Sequence, residues 1–470
     1  MESTAEKINP CGNCDTVCGG GMCSPFQGKL PSYDGIRFTA DGFDCALPVS
    51  IDPFNTCAFD CLYCFSNFLS RDPKRKEAPR VGVMSISYLE RFLDFDTPSK
   101  NQKTALLQSA LRRETGPRCP VQLGALGDPF DNIERHRAWS LEAIPLFGKY
   151  NQPVRVSTKG GLLLQEDEYL RALAPVANLF WVAFSIISID DDVLKKIDRF
   201  APNATERLAA MKLMSSLGAR TSLRLRPIIR NVTDRTPRHR KAWRDLMRRS
   251  RDAGAGAVSM EFMFVPGVQP PHIKKRIDAI SDMAGYDMTA FYKSTSSRYG
   301  ACLRSSRSWK EELTFAIREE AKSLGMVFAV SDPHWKELND TGCCCGMLPD
   351  DPVFGNWERE NGTNALITAR AKFAAGLPAL MHVEDIVPPW AHNQSIIGMC
   401  LVGGVKGAIA QKYTSWADKL ISTWNDVKSA RAPLHYFGGV AQPHSLDSKK
   451  NMVYEYVDLP RKNIRCGWDV

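Results

Sequence analysis

Short apolar runs alternate with amphipathic segments from residue 46 onward, and this alternation predicts parallel strands joined by crossover helices. The pattern predicts six strands, at 46–52, 121–126, 154–159, 181–187, 222–229 and 258–265. The clearest helices between them are predicted at 132–148, 166–177, 205–218 and 237–254. The fold class is therefore α/β, and the repeats predict a partial (β/α)6 barrel of the TIM type.

The regions on either side of this barrel have a different pattern. Residues 1–44 are rich in glycine and cysteine and have no sustained hydrophobic period. Later in the chain, an amphipathic helix at 308–325 and a strand at 326–332 are still clear. We expect a Cys-rich N-terminal segment at 1–44, the barrel at 45–335, and a C-terminal extension at 336–470 that binds substrate or a partner.

The composition is that of an ordinary globular protein, with 44% hydrophobic and 24% charged residues. No uninterrupted apolar run reaches the ~18 residues of a membrane helix. The first ten residues lack the apolar core of a secretory signal. We therefore expect a cytoplasmic protein without a membrane partner. The formal charge of +9 is compatible with a polyanionic partner but does not require one.

The 15 cysteines favour metal or redox chemistry over a disulfide framework. Cys57, Cys61 and Cys64 are spaced C-x3-C-x2-C directly after the first predicted strand, and active sites of barrel folds lie at the carboxyl ends of the strands. Three thiolates can hold three irons of a 4Fe-4S cluster and leave the fourth iron open. A structural zinc loop with a distant fourth ligand is the alternative.

This cysteine spacing resembles that of the radical S-adenosylmethionine (SAM) superfamily. The resemblance implies a partial barrel, a 4Fe-4S cluster whose open iron is chelated by SAM, and an electron donor such as a flavodoxin or ferredoxin. It also implies that the reduced cluster cleaves SAM to a 5′-deoxyadenosyl radical, which abstracts hydrogen from the substrate. Tyr63 stands where the superfamily usually has an aromatic side chain, which can pack against the bound adenine.

Further motifs resemble the branch that contains spore photoproduct lyase, over about residues 45–265: Phe184-Ser185-Ile186, Ile197-Asp198-Arg199, Glu206-Arg207-Leu208 and Arg226-Pro227-Ile228. By position, Lys159 and Ser185 correspond to SAM contacts, and an ammonium and a hydroxyl suit the carboxylate and the ribose or methionyl group. Asp128, Arg207 and Arg226 are further candidate cofactor contacts. A solvated lysine and a satisfied strand hydroxyl are the alternatives for Lys159 and Ser185.

One departure separates this chain from the lyase. Ala125 stands where the lyase has the cysteine that returns a hydrogen atom to the repaired thymine. We therefore do not expect the chain to be a spore photoproduct lyase itself. Asp128 and Glu134 could order the cofactor or act as an acid or base, or they could favour the positive end of the next helix. The catalytic residues stay unassigned.

Two other groups of cysteines predict an auxiliary cluster: Cys11, Cys14, Cys18 and Cys23, and the consecutive Cys343, Cys344 and Cys345. If the second group is extended, Cys343 and Cys345 point to one side and Cys344 to the other. A small zinc site or free thiols are the alternatives for the first group. A redox or structural role, or hydrogen-atom donation, is the alternative for the second.

The helix predicted at 237–254 is rich in arginine, which is typical of either a phosphate-binding surface or a solvated face. The leading hypothesis is a radical SAM enzyme with an auxiliary cluster that modifies or repairs a DNA or RNA base. One alternative is radical modification of a peptide or small metabolite. The other is a non-catalytic, metal-stabilised nucleic-acid-binding protein.

Overall fold

The computed structural model describes residues 32–38, 43, 45, 47–66, 81–97, 99–112, 118–236, 238–295, 298–299, 302–305, 307–347, 351–354, 365–392 and 412–458. The predicted ligands Cys11, Cys14, Cys18 and Cys23 lie outside these residues and stay predictions. All other predicted site residues lie within them.

The strands confirm the predicted alternation. They are β1 Ile36–Phe38, β2 Val49–Ile51, β3 Val121–Leu123, β4 Val154–Thr158, β5 Phe180–Ser185, β6 Arg220–Ile228, β7 Ala257–Phe262, β8 Phe264–Pro266, β9 Arg298–Tyr299, β10 Cys302–Arg304, β11 Val327–Val330, β12 Leu380–Met381, β13 Ala441–Leu446 and β14 Met452–Tyr456. Eight form one sheet in the order β1-β2-β3-β4-β5-β6-β7-β11. β1 pairs antiparallel with β2, and all the other neighbours are parallel.

Helices connect the parallel strands, because a parallel pair needs a long crossover. They are α1 Ile86–Leu93, α2 Gln102–Leu111, α3 Glu134–Arg137, α4 Trp139–Lys149, α5 Asp167–Leu173, α6 Asp191–Ile197, α7 Ala204–Ser216, α8 Ala242–Asp252, α9 Pro271–Ala284, α10 Met288–Thr295, α11 Arg307–Ser323, α12 Ala365–Ala374, α13 Trp416–Asn425 and α14 Pro433–Tyr436. α7 begins with a capping box formed by Asn203 and Glu206. None of the helices in the described ranges is both long and apolar enough to cross a bilayer.

Alternate residues divide the central sheet into two chemically different faces. One face is apolar and buried under helices, as where Phe147 of α4 packs edge-on against Phe180 of β5. The other is called the polar face below, and it carries Gln122, Arg155, Ser157, Ser185, Ser222, Arg224, Ser259 and Glu261. Parallel sheets are usually apolar on both faces, so this polarity indicates a role beyond packing.

Three details differ from the predicted elements. β3 ends at Leu123 rather than at 126, because the chain turns at Gly124, which has a φ of +79°. The strand predicted at 258–265 is divided between β7 and β8, and β8 joins a separate small sheet with β10 and β9. β1 has no counterpart among the predicted strands, because three residues are too few to show a hydrophobic period.

Aromatic residues of the C-terminal part cover the edge of the central sheet. Phe38 of β1 packs edge-on against Trp390 and Trp416, with ring centres 5.1 and 5.3 Å apart. Phe43 also packs edge-on against Trp424, with ring centres 5.7 Å apart. Rings of this size bury much apolar surface, and they protect an edge strand that could otherwise pair with another chain.

Candidate metal and cofactor site

Residues 56–65, called the cysteine loop below, follow the carboxyl end of β2 and carry Cys57, Cys61 and Cys64. Distant parts of the chain hold this loop. The Ala58 N–H donates to Asp131 Oδ2 at 2.6 Å, and the Leu62 N–H donates to the carbonyl of Ile197 at 2.9 Å. The backbone of the loop is therefore fixed from two other connections of the fold.

The turn after β3 passes directly over the cysteine loop. A Cβ atom at Gly127 would stand 2.9 Å from the carbonyl oxygen of Thr56, so this approach requires glycine. Asp52, just after β2, accepts the N–H groups of Leu126 at 2.7 Å and of Gly127 at 3.1 Å. The turn is thus anchored to the same strand end from which the cysteine loop departs.

The three thiols of the loop are neighbours. Cys57 interacts electrostatically with Cys61, and Cys61 with Cys64. Burial raises the pKa of Cys57 well above its ordinary value, and the carboxylates of Asp131 and Asp128 raise it further. A cation bound to the sulfur would relieve this unfavourable environment for a thiolate.

A fully buried ion pair stands beside Cys61. Arg207 Nη1 lies 2.7 Å from Asp198 Oδ2, and the same guanidinium donates to the carbonyl of Ser185 at 2.8 Å. The Tyr63 hydroxyl donates to the other carboxylate oxygen of Asp198. Burial opposes ionisation of Asp198, but the charge of Arg207 lowers its pKa below the ordinary value. Tyr63 is therefore held in a fixed orientation by a charged partner.

Lys159 follows β4 and completes this group. Its Nζ lies 5.3 Å from the centre of the Tyr63 ring. Its backbone N–H donates to Asp128 Oδ2 at 2.6 Å, and the Thr158 hydroxyl donates to Asp128 Oδ1 at 2.8 Å. Burial opposes the charge of Lys159, but a Cys61 thiolate would stabilise it, and the pKa of Lys159 is raised.

The structure thus brings together four of the predicted cofactor contacts: Tyr63, Lys159, Ser185 and Arg207. Asp128 fastens the end of β3 to the end of β4. Arg226 belongs to a different group, because its guanidinium donates to the carbonyl of Cys344 and lies 3.9 Å from Glu261.

The donor set of the cysteine loop is of the kind that a 4Fe-4S cluster takes. Three soft sulfur ligands come from one short, anchored loop, and buried cations and carboxylates surround them. Within the described ranges, no three Cys, His, Asp or Glu side chains stand close enough together to hold a single metal ion. A cluster instead places each thiolate on a different iron.

Residues 343–345, called the cysteine turn below, lie against the polar face. The Cys345 thiol makes hydrogen bonds with both Cys343 and Cys344, so the three side chains share one side. The extended, alternating arrangement is therefore wrong, because the chain turns at 344–345. Gly346 continues the turn with a φ of +70°, a conformation that favours glycine.

Some residues that support the cysteine loop have no motif of their own. Asp60, at a φ of +45°, pairs with Arg199 at 2.9 Å and with Arg276 of α9. Arg276 also donates to the carbonyl of Cys61 at 3.1 Å. Asp198 lies inside one of the quoted motifs, so the resemblance could have identified it. Arg276 carries no such signal.

Glu134 has structural partners. Its Oε1 accepts the N–H groups of Ser140 at 2.7 Å and Leu141 at 3.0 Å, and the Tyr169 hydroxyl at 2.9 Å. Burial raises the pKa of Glu134 to about 7. These contacts give Glu134 the role of a carboxylate at the start of α4, one of the two roles expected for it.

Residues 51–243 match the family model of the Radical SAM superfamily. This segment is therefore similar to the superfamily that the cysteine spacing predicts. It is similar to the uncharacterized proteins Rv2578c of Mycobacterium tuberculosis and Mb2609c of Mycobacterium bovis, each 25% identical over 221 residues, which are 45% of this chain and 56% of theirs. The chain thus spans little more than half the length of the curated relatives it matches.

Two solved structures of spore photoproduct lyase are also similar. One is complexed with dinucleoside spore photoproduct, with 16% identity, 62% of this chain and 78% of that chain covered, and a TM-score of 0.43. The other, a mutant with bound AdoMet and the same photoproduct, has 16% identity, 61% and 77% coverage and a TM-score of 0.42. At these values the similarity concerns the fold alone.

Proposed function

We propose that this chain is a radical SAM enzyme that holds a 4Fe-4S cluster on Cys57, Cys61 and Cys64 and modifies or repairs a nucleic-acid base. The observation that carries the proposal is the anchored cysteine loop at the carboxyl end of β2. It lies within the residues that match the superfamily, and the buried group of Tyr63 and its partners stands beside it.

When bound, the cluster and SAM would supply an electron, taken from a flavodoxin or ferredoxin, and a 5′-deoxyadenosyl radical. The chain's own residues bind and orient. Lys159 offers an ammonium to the SAM carboxylate, and Ser185 a hydroxyl to its ribose or methionyl group. Arg207 and Asp198 fix the orientation of Tyr63, whose ring is a surface for the adenine. Burial of this group excludes water from it.

The nucleic-acid part of the proposal is supported by charge. The net charge is +9, and α8 and the residues before it expose several basic side chains: Arg238, Arg240, Lys241, Arg248, Arg249 and Arg251. Two arginines of this helix are also tied to the fold, because Arg244 and Arg248 pair with Glu320 at 2.9 and 2.8 Å. Arg238 pairs with Asp192. The other exposed cations, Arg240, Lys241, Arg249 and Arg251, are available to phosphates.

An auxiliary cluster is the second cofactor we propose. Its ligands would come from the cysteine turn together with cysteines of the N-terminal segment. The support is that the Cys345 thiol makes hydrogen bonds with both Cys343 and Cys344, which brings the thiols of the turn to one place.

The radical step is tested on anaerobically reconstituted protein with reductant and SAM. We expect 5′-deoxyadenosine from wild type and from Cys302→Ala, a cysteine outside both groups, and only background from Cys57→Ala. Equal formation by Cys57→Ala would contradict the assignment of the cluster.

Incubation with DNA and RNA oligonucleotides, followed by mass spectrometry of the nucleosides, tests the substrate. Radical formation without a change in any nucleoside would remove the nucleic-acid part alone.

A further inference from the structure

Three arginines share the polar face: Arg155 on β4, and Arg224 and Arg226 on β6. They are called the arginine group below. Arg155 and Arg224 each interact electrostatically with Arg226, so the three guanidiniums form one cluster. The cysteine turn lies against the same cluster, through the contact of Arg226 with the Cys344 carbonyl.

The partners of the arginine group are mostly neutral. Arg155 Nη1 donates to Gln122 Oε1 at 2.8 Å and to the hydroxyl of Ser157. Arg224 Nη1 donates to the hydroxyl of Ser185 at 3.3 Å. These bonds orient the guanidiniums, but they do not balance the positive charge.

The charge of the group exceeds that of its acidic partner. Glu261 is the one carboxylate paired with it in the described part of the chain, 3.9 Å from Arg226. Burial, with repulsion from Arg226 and Arg155, lowers the pKa of Arg224 to about 10, so Arg224 is still charged at neutral pH. Buried charges without counter-charges are costly, and a bound anion would remove that cost.

Buried hydrogen-bond donors also favour a bound anion. The Nε atoms of Arg155 and Arg226 and the hydroxyl of Ser259 are buried, and none of them has a hydrogen-bond partner among the residues that the structure describes. Arg155 is 4% exposed and Arg226 is 9% exposed. Ser157, Arg224 and Glu261 are only partly buried, although they stand on central strands. The polar face therefore borders accessible space beside these donors.

We propose that the arginine group binds an oxyanion, a phosphate or a carboxylate, that belongs to the substrate. The guanidinium fork matches both groups. The proposal rests on the proposed function, because it assumes that a substrate is processed at the adjacent cysteine loop.

The depth of Arg155 in the sheet favours the substrate over SAM as the source of the oxyanion. Arg155 stands three residues before the end of β4, which places its backbone about 10 Å below the carboxyl edge where Lys159 and the cysteine loop lie. Lys159 is a candidate SAM contact at that edge, whereas a ligand of Arg155 must reach below it.

The test is calorimetric titration of the reconstituted full chain at low ionic strength, with inorganic phosphate and with succinate as probes. We expect saturable binding of at least one probe. Arg224→Gln should weaken it by about 10- to 100-fold, because a charge-assisted bidentate contact is lost. Arg171→Gln, an exposed arginine on α5, should bind as wild type does. Binding of phosphate indicates a phosphorylated substrate, and binding of succinate alone indicates a carboxylate.

The proposal is overturned if wild type binds neither probe, or if Arg224→Gln binds them as wild type does. A calorimetric titration with SAM is the third measurement, beside those with phosphate and succinate. Unchanged SAM affinity in Arg224→Gln supports a substrate site, and a tenfold loss would assign the arginine group to the cofactor instead.

A measurement on wild type covers the case in which Arg224→Gln does not fold. Phenylglyoxal should modify Arg224, and phosphate or succinate should protect it, as read by peptide mass spectrometry. Labelling that neither probe changes would overturn the proposal. These assays do not depend on 5′-deoxyadenosine, so intact anion binding without radical formation would refute the proposed function and leave the anion site standing.

Discussion

The two cysteine triplets that the structure describes have different electrostatic surroundings. The cysteine loop lies among groups of both signs. Burial raises the pKa of Cys57 and Cys61, Asp131 and Asp198 raise it further, and Lys159 and Arg207 act in the opposite direction on Cys61. The cysteine turn lies among guanidiniums, with Arg155 and Arg226 beside its residues. The same residue type therefore stands in two environments that favour different chemistry.

A carboxylate beside a thiol opposes formation of the thiolate, whereas a guanidinium favours it. The cysteine loop thus gains most from a bound cation such as iron, which replaces the proton. In the cysteine turn, the hydrogen bond with Cys343 raises the pKa of Cys345, and the charge of Arg155 acts in the opposite direction. Spacing alone does not reveal this difference, because it depends on which strands approach each triplet.

Removing one thiol from each cysteine triplet should give the largest difference between the two triplets. Cys61→Ala should lose about four irons per chain and all 5′-deoxyadenosine formation. Cys344→Ala should keep 5′-deoxyadenosine formation and lose only the irons of the proposed auxiliary cluster, about four per chain. The measurements are iron content and product formation in parallel anaerobic preparations. An unchanged iron content in Cys344→Ala would contradict the auxiliary cluster.

The buried ion pair beside the cysteine loop should dominate local stability. Asp198→Ala leaves Arg207 charged, buried and unpaired, so the free energy of unfolding should fall by about 3–5 kcal/mol. Asp192→Ala removes an exposed partner of Arg238 and should cost less than about 1 kcal/mol. Urea unfolding of both variants measures the difference. Equal losses of unfolding free energy in the two variants would mean that the cysteine loop is not stabilised by the pair of Asp198 and Arg207.

The pH dependence of the free energy of unfolding tests the raised pKa of the buried carboxylate Glu134. Burial raises its pKa from 4.5 to about 7, so the protonated form is favoured in the folded state. Its contribution to stability is present below pH 4.5 and is lost as pH rises to about 7, by up to about 3 kcal/mol.

Glu134→Gln cannot ionise, so its free energy of unfolding should change less with pH over that interval. Glu142→Gln, at an exposed position on α4, should keep the wild-type dependence. Urea unfolding at pH 4.5, 6 and 8 measures the slopes. A Glu134→Gln slope equal to that of wild type would contradict the raised pKa.

The smallest expected effect is on the salt dependence of nucleic-acid affinity. It distinguishes the exposed arginines of α8 from the arginine group. If nucleic acid binds on the outer helix, Arg249→Gln should reduce the slope of log affinity against log salt by about 0.9 on duplex DNA. Arg224→Gln should then leave the slope unchanged. Fluorescence anisotropy with an oligonucleotide over a range of salt measures both. A slope that only Arg224→Gln changes would place the phosphate contacts on the polar face.

Much of the fold could be predicted because parallel strands and helices leave periodic signals in the sequence. The cysteine loop was equally accessible, since its ligands lie within eight residues. The resemblance also identified Tyr63, Lys159, Ser185 and Arg207. The contact between Tyr63 and Asp198 is not predictable in this way, because the two residues are 135 residues apart and meet only through the order of the strands. The turn at 344–345 was also missed, because three identical residues show no periodicity.

The polar face could have been found from the sequence. Serine or arginine alternates with apolar residues along both β4 and β6, as in Ser222-Leu223-Arg224-Leu225-Arg226. Such alternation is unusual for a central parallel strand, which normally reads as a continuous apolar run. The register of the neighbouring strands places these polar positions side by side, which the sequence of one strand does not show.

The contact of Arg276 with the cysteine loop has a consequence for attempts to isolate a minimal domain. Arg276 belongs to α9, which begins beyond the last residue that matches the superfamily. A fragment cut at 243 would remove the guanidinium that binds the Cys61 carbonyl, and it would leave β6 as an unpaired edge without β7. The segment shared with relatives is therefore smaller than the unit that must fold together, and truncation to it should yield an aggregation-prone polypeptide.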